Sequence, residues 1–283
     1  MFRKPFTVFI ILLSVILALS ACGKKEEPAG EKAGSEAAAP AVPVVVPGEM
    51  ALIPAGEFIL GSDDKTSISY PVQKINLPAY WIDKYEVTNM EFLDFSLKTG
   101  YVGEGAKEGR DWRAFFTPAT PEKARLPVVY ISWNDAATYC KSAGKRLPTE
   151  EEWEKAARGT DGRKYPWGNE WINDRANTWE AGRSKAVPIG EYADVSDYGV
   201  HDMLGNVREW TGSWFVNYKG TLKTDPHSGK QWRVLRGLSY NLKAKLGDLS
   251  MRSAYQPEAL FDFGFRCAKD ATPEDAAKAS KAK

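Results

Sequence analysis

Three cysteines, two histidines and a run of three glutamates are the residues of this chain best suited to chemistry. A thiolate can act as a nucleophile, a soft-metal ligand or half of a disulfide, depending on its surroundings. Cys140 and Cys267 form an even pair, for which an oxidising compartment favours a long-range disulfide; two buried free thiols are the other reading. His201 and His227 with Asp202 or Glu209 could compose a two-histidine, one-carboxylate iron site. Both histidines also lie in turn-like surroundings, VHD at 200–202 and DPHSG at 225–229, where an ordinary loop role suffices. Glu150, Glu151 and Glu152 could pair for acid–base work, but they follow Pro148 and Thr149, where a helix start wants a capping hydroxyl and negative charge. Tyr165, Trp167, Trp171 and Trp179 could line a groove, or simply pack and anchor loops. No Ser-His-Asp set, phosphate loop or zinc cluster has supporting context.

Cys22 differs from the other two cysteines. Arg3 and Lys4 precede an apolar run at 6–19, which is short for a membrane span and right for a secretory signal. The LSACG that follows at 19–23 resembles the bacterial lipobox, so Cys22 is expected to carry lipid and become the mature amino terminus. Several acyl chains would anchor the protein stably, where one would not. Gly23, in place of an aspartate, favours the outer membrane of the envelope over the inner. The expected organisation is therefore a signal peptide at 1–21, a disordered Ala/Pro/Glu/Lys tether at 22–47, a folded domain at 48–270 and a flexible Ala/Lys-rich tail at 271–283. The 38 basic and 37 acidic residues nearly cancel, with no dense basic block in the domain, which argues against a nucleic-acid partner.

Within the domain, Pro54 and Gly56 interrupt a strand-like stretch at 50–61, and the alternating aromatic and polar positions at 79–87 predict a second strand. Thr88 with Glu91 predicts a capped helix carrying Phe92, Phe95 and Leu97. A second helix is expected to start near Asn134 or Asp135 and to run through Cys140 to Gly144. A third starts at Thr149, with Glu152 completing the capping box, and stops at Gly159. Beyond it the chain is rich in Gly, Asn, Asp, Pro and Trp and short of periodic runs, so order there must come from a crosslink, ions or aromatic packing.

The phrases KYEVTN (84–89), PVV (127–129), SWNDA (132–136), KRLPTE (145–150), YPWG (165–168), GNVREW (205–210), RVLRG (233–237) and GFRC (264–267) occur in that order. As an ordered set they resemble the formylglycine-generating enzyme, or sulfatase-modifying factor, family across nearly the whole domain. The resemblance implies an α+β fold of C-type-lectin-like character and a Cys140–Cys267 disulfide. It implies calcium at Asp202, Glu209 and the carbonyls of Gly205 and Val207, and a second calcium at Asn177 whose completing acidic loop is shortened here. The family's enzymes oxidise a substrate cysteine with copper(I) held by two thiolates, but the corresponding positions here are Leu242 and Gly247, which cannot bind it. Leu238 and Arg208 also replace a glycine and a tryptophan of the enzymes. Iron-dependent sulfoxide synthases of the family draw histidines from an extra helical domain that this sequence does not contain.

With the framework retained and the thiolates gone, the sequence reads as a non-catalytic recognition or scaffold module, held to the membrane by its lipid and facing an envelope protein or peptide partner. The former active-site region, with Arg208, Trp214, Ser239, Tyr240, Asn241 and Arg252, is the expected ligand-binding face. The alternative is a periplasmic modifying enzyme using chemistry other than copper-dependent cysteine oxidation.

Overall fold

The structure, a computed structural model, describes residues 45–116 and 120–281. The signal segment, Cys22 and most of the tether lie outside the described residues. The elements run β1 (Met50–Ile53), β2 (Gly56–Leu60), β3 (Gln73–Leu77), β4 (Tyr80–Asp83), α1 (Asn89–Thr99), α2 (Arg113–Phe116), α3 (Pro121–Ala124), α4 (Trp133–Ser142), α5 (Glu150–Arg158), β5 (Arg208–Trp214), β6 (Arg233–Arg236), β7 (Arg252–Tyr255), β8 (Phe263–Phe265), β9 (Ala268–Asp270) and α6 (Pro273–Lys281).

Three helix starts follow from their caps. Thr88, Ser132 and Thr149 each accept a hydrogen bond from the backbone N–H three residues on, and Glu91, Asp135 and Glu152 reach back to the cap. Each closed box satisfies two orphan donors at once. Ser132 moves the start of α4 to Trp133, ahead of the predicted Asn134 or Asp135. In α1, Phe92 and Phe95 share the buried face, whereas Leu97 points the other way and is 73% exposed. A spacing of two residues along a helix turns a side chain by about 200°, so Leu97 cannot join that stripe.

The strand predicted at 79–87 pairs regularly only as β4, between β1 and β9. From Lys84 onward the chain stays extended and changes partners, with the N–H of Val87 donating to the carbonyl of Phe265 at 2.9 Å. β2 and β3 form a separate hairpin, and a four-stranded sheet in the order β7-β6-β5-β8 is antiparallel except for β5 with β8. One core cluster gathers around Trp153 of α5, and a second around Phe92, Trp210 and Phe265, on the α4 side.

Cys140 and Cys267 are bonded inside that second cluster, with Cα atoms 5.6 Å apart and a sequence separation of 127. A loop of this size removes on the order of 4–5 kcal/mol of unfolded-chain entropy. The segment at 271–283, expected as a flexible tail, forms α6 over Pro273–Lys281: Thr272 and Asp275 cap each other, and the Trp81 indole donates to Asp275 at 3.1 Å. Among the described residues no helix is long and apolar enough to cross a membrane.

Candidate functional site

The segment after β6 closes the position where copper ligands would stand. Leu242 packs on the Trp153 cluster, as do Tyr165, Trp167 and Trp171, and its carbonyl accepts the N–H of Trp179 at 3.0 Å. Gly247 is extended, and a side chain there would put its Cβ 2.5 Å from the sulfur of Met251. Neither residue offers a soft donor and the space for one at 247 is taken, so the residues present do not fit copper. Beside Gly247 opens a cavity of about 700 Å³, bordered by Ser62, Asp64, Tyr165, Asp248 and Met251 among others.

Four of the six residues expected on the ligand face lie together, around a residue that sequence reasoning did not single out. Asp262 is fully buried; Arg208 donates to it through Nε at 3.1 Å and Nη2 at 3.0 Å, and Ser239 donates from Oγ at 2.7 Å. Ser239 Oγ also touches the side-chain amide of Asn241. One hydroxyl proton cannot serve two acceptors, and the carboxylate is the stronger; Asn241 therefore faces Ser239 through its NH₂. The Arg208 guanidinium lies over the rings of Phe263 and Tyr255, at 4.5 and 4.9 Å. Burial, and then the charge of Asp262, raise the pKa of Tyr240 to about 12, and the same two causes raise that of Tyr130. Phe115 stacks on Tyr130 at 3.9 Å, and Phe261 lies 6.5 Å from Tyr240; both phenylalanines are more than 40% exposed. The result is an aromatic rim over a buried arginine–carboxylate pair. It supplies flat apolar contact area with hydroxyls at its edge, which suits recognition.

The other two residues lie elsewhere. Trp214 ends β5 against Arg233, and Arg252 is buried with Glu150 at 2.7 Å and the rings of Phe215 and Tyr218. Glu150 is thus a buried ion-pair partner as well as part of the first helical turn, while Glu152 closes the capping box with Thr149 and pairs with Arg146. Tyr165, Trp167 and Trp171 pack on one another, and Trp179 stays 55% exposed beneath Lys243. His201 stacks on Tyr85, whereas His227 bonds Asp225 at 2.7 Å and rests on Trp232. Among the described residues no group of three or more His, Cys, Asp or Glu is placed to hold a metal.

Calcium at Asp202, Gly205, Val207 and Glu209 meets a competitor. Both carboxylate oxygens of Glu209 accept from Arg266 at 2.7 Å, one of them also from the Trp153 indole, and Asp202 accepts the N–H of Gly190 at 2.7 Å. Both oxygens of Glu209 and one of Asp202 thus already carry hydrogen bonds in this arrangement. Among the described residues the buried side-chain oxygens left without a partner are Asn177 Oδ1 and Asp194 Oδ1. Burial pushes the pKa values of Asp194 and Asp202 each up to about 7.

Fold and sequence together define a domain of formylglycine-generating-enzyme type. Residues 36–271 match the sulfatase-modifying factor enzyme 1-like domain, and the chain belongs to that family. It is 33% identical to the inactive C-alpha-formylglycine-generating enzyme 2 of Mus musculus, over 78% of this chain and 86% of that one. It is 32% identical to the formylglycine-generating enzyme of Bos taurus, over 89% and 86% respectively. Among solved structures, PvdO from Pseudomonas aeruginosa is similar, with a TM-score of 0.63, 26% identity and coverage of 78% of this chain and 94% of that one.

Proposed function

We propose that this protein is a non-catalytic recognition or scaffold module of the bacterial envelope, anchored by lipid on Cys22, that binds a protein or peptide partner. What carries the reading is that the positions the resemblance assigns to the two thiolates hold Leu242 and Gly247, with Leu242 partly buried against the Trp153 cluster and Gly247 hemmed in by Met251. A relative at 33% identity is itself named as inactive. The aromatic rim of Phe115, Tyr130, Tyr240 and Phe261 over the Arg208–Asp262 pair is the proposed contact face.

The full chain, titrated anaerobically with copper(I) against a chromogenic chelator and then given oxygen and a cysteine peptide, should retain no copper and make no aldehyde. One copper per chain with oxygen-dependent aldehyde would sink the reading. In cells, replacing Phe115, Tyr240 and Phe261 together by alanine should abolish the crosslinked partner; a partner retained undiminished would remove that face from the proposal. Labelled palmitate should mark the wild type and not Cys22→Ser, and a Cys22→Ser protein that still takes up label would refute the anchor.

A further inference from the structure

Arg233 opens β6 with its guanidinium between two indoles. Its Cζ lies 3.6 Å from the ring centroid of Trp133 and 3.3 Å from that of Trp214. The residue is only 9% exposed. Nη1 donates to the carbonyl of Gly212 at 3.0 Å, Nε is buried without a partner, and Nη2 has none among the described residues. The other buried arginines all have a carboxylate: Arg158 and Arg236 share Glu154, Arg208 has Asp262, Arg252 has Glu150 and Arg266 has Glu209. Arg233 is the one buried arginine, among the described residues, with no acid within ion-pair distance. Burial alone lowers its pKa, to about 10, with nothing to oppose it.

Two π faces return about 0.5–2 kcal/mol to such a cation. They leave Nη2 without a partner, and with Nε buried and Nη1 on Gly212 it is the in-plane donor left to meet a carboxylate. Trp133 also forms one wall of a groove of about 440 Å³ shared with Ala137, Lys141, Lys145, Arg146 and Leu147. Lys145 and Arg146 are neutralised by Asp83 at 2.6 Å and Glu152 at 2.7 Å. Lys141 is exposed and has no acid partner among the described residues. Arg233 adjoins this groove through Trp133 and Gly212, both of which line it; an apolar floor with Lys141 on it and Arg233 behind it is complementary to a chain segment that carries both acids and apolar side chains.

We propose that the Trp133–Arg233–Trp214 stack and the adjoining groove form a docking site for an acidic, apolar segment of a protein partner. A side-chain or terminal carboxylate of that segment takes the free edge of Arg233. A second acid approaches Lys141, and apolar side chains lie against Trp133 and Leu147. A planar carboxylate fits edge-on between the indole planes, and the apolar lining favours a peptide over inorganic phosphate. None of the residues around Asp262 takes part, so this site stands or falls apart from the aromatic rim.

The test uses the full chain on an array of acidic, apolar decapeptides, each beside its counterpart with Asn and Gln for Asp and Glu. Wild type should retain a subset of acidic members at least tenfold better than their amide counterparts. Arg233→Met should lose those members at least tenfold, and Lys141→Glu, which alters only an exposed charge, should lose them several-fold. Phe261→Ala should retain them. A thermal melt shows whether Arg233→Met is folded; if it is not, Lys141→Glu and the amide peptides decide the outcome. Retention of no acidic member, equal retention of acid and amide peptides, or undiminished retention by folded Arg233→Met and by Lys141→Glu would overturn the proposal. Displacement of retained peptides by 10 mM inorganic phosphate at constant ionic strength would overturn it in favour of a free-anion site.

Discussion

Arg233 and Arg236 stand three residues apart on one short strand, face opposite sides of the sheet, and offset the cost of burial by different means. Arg236 is fully buried toward α5, bonded to Glu154 and to the carbonyls of Ser250 and Leu249 at 3.0 and 3.1 Å, with the Trp153 ring 5.4 Å away. Arg233, on the α4 side, has two closer rings and one carbonyl but no acid. Both leave Nε unpaired, so the carboxylate is what separates them. A buried cation with its acid is complete and locks neighbouring segments together; Glu154 also accepts the N–H of Gly61 at 2.7 Å and pairs with Arg158. A buried cation held only by aromatic faces keeps a donor edge for something outside the chain.

The largest effect expected from breaking this comparison is at Arg236. Arg236→Met keeps the volume but leaves the fully buried Glu154 with half its cationic neighbours, and should cost about 3–5 kcal/mol in urea unfolding. A loss under about 1 kcal/mol would mean that Arg236 and Arg233 are energetically alike and that the contrast is only geometric.

Glu150 with Arg252 lies between these extremes, and pH sharpens it. Burial raises the Glu150 pKa from 4.5 to about 7, although Arg252 and Arg236 pull it down. An acid raised in the folded state contributes stability below its unfolded pKa and loses it as pH climbs through the folded value. Wild-type stability should therefore fall between pH 4.5 and 7 through this group. In Glu150→Gln that part of the fall should vanish, a difference on the order of 1–3 kcal/mol between pH 5 and 8. Parallel pH profiles for the two proteins would show that Arg252 holds Glu150 ionised throughout.

What the sequence disclosed and what it hid divide along the same physical line. Caps at Thr88 and Thr149 were legible because a capping box is a local pattern, complete within four residues. The Cys140–Cys267 bond was legible because few cysteines leave few pairings. Arg208, Ser239, Tyr240 and Asn241 were grouped by position along the chain alone, in one set with Trp214 and Arg252, which lie elsewhere. Asp262 escaped because its partners are 23 and 54 residues away and no local signal distinguishes a buried hub from any other aspartate. Glu150 was read as a helix-start charge, a role its position supports; its pairing with Arg252 across 102 residues is visible only in three dimensions. The same distance hid the Arg233 stack, which draws Trp133 from α4 and Trp214 from β5.

The smallest stability effect, and the one that bears most on function, belongs to Arg233→Met. With its folded pKa lowered to about 10, this arginine carries its burial penalty in full at neutral pH, because a base depressed on folding recovers that penalty only as pH rises past the folded value. Methionine keeps the stem between the indoles and removes the charge and the unpaired Nε. Losing the cation–π contacts costs about 0.5–2 kcal/mol and losing the Nη1 bond to Gly212 about 0.5–1.5 kcal/mol, while removing the unsatisfied donor returns about 1–3 kcal/mol, so the melting temperature should stay nearly level. A residue whose removal leaves folding untouched or improved is retained for something other than folding, as expected of a site built at the expense of stability. A clear drop, of 2 kcal/mol or more, would instead make Arg233 a structural strut equivalent to Arg236, fastening α4 to the sheet through Trp133.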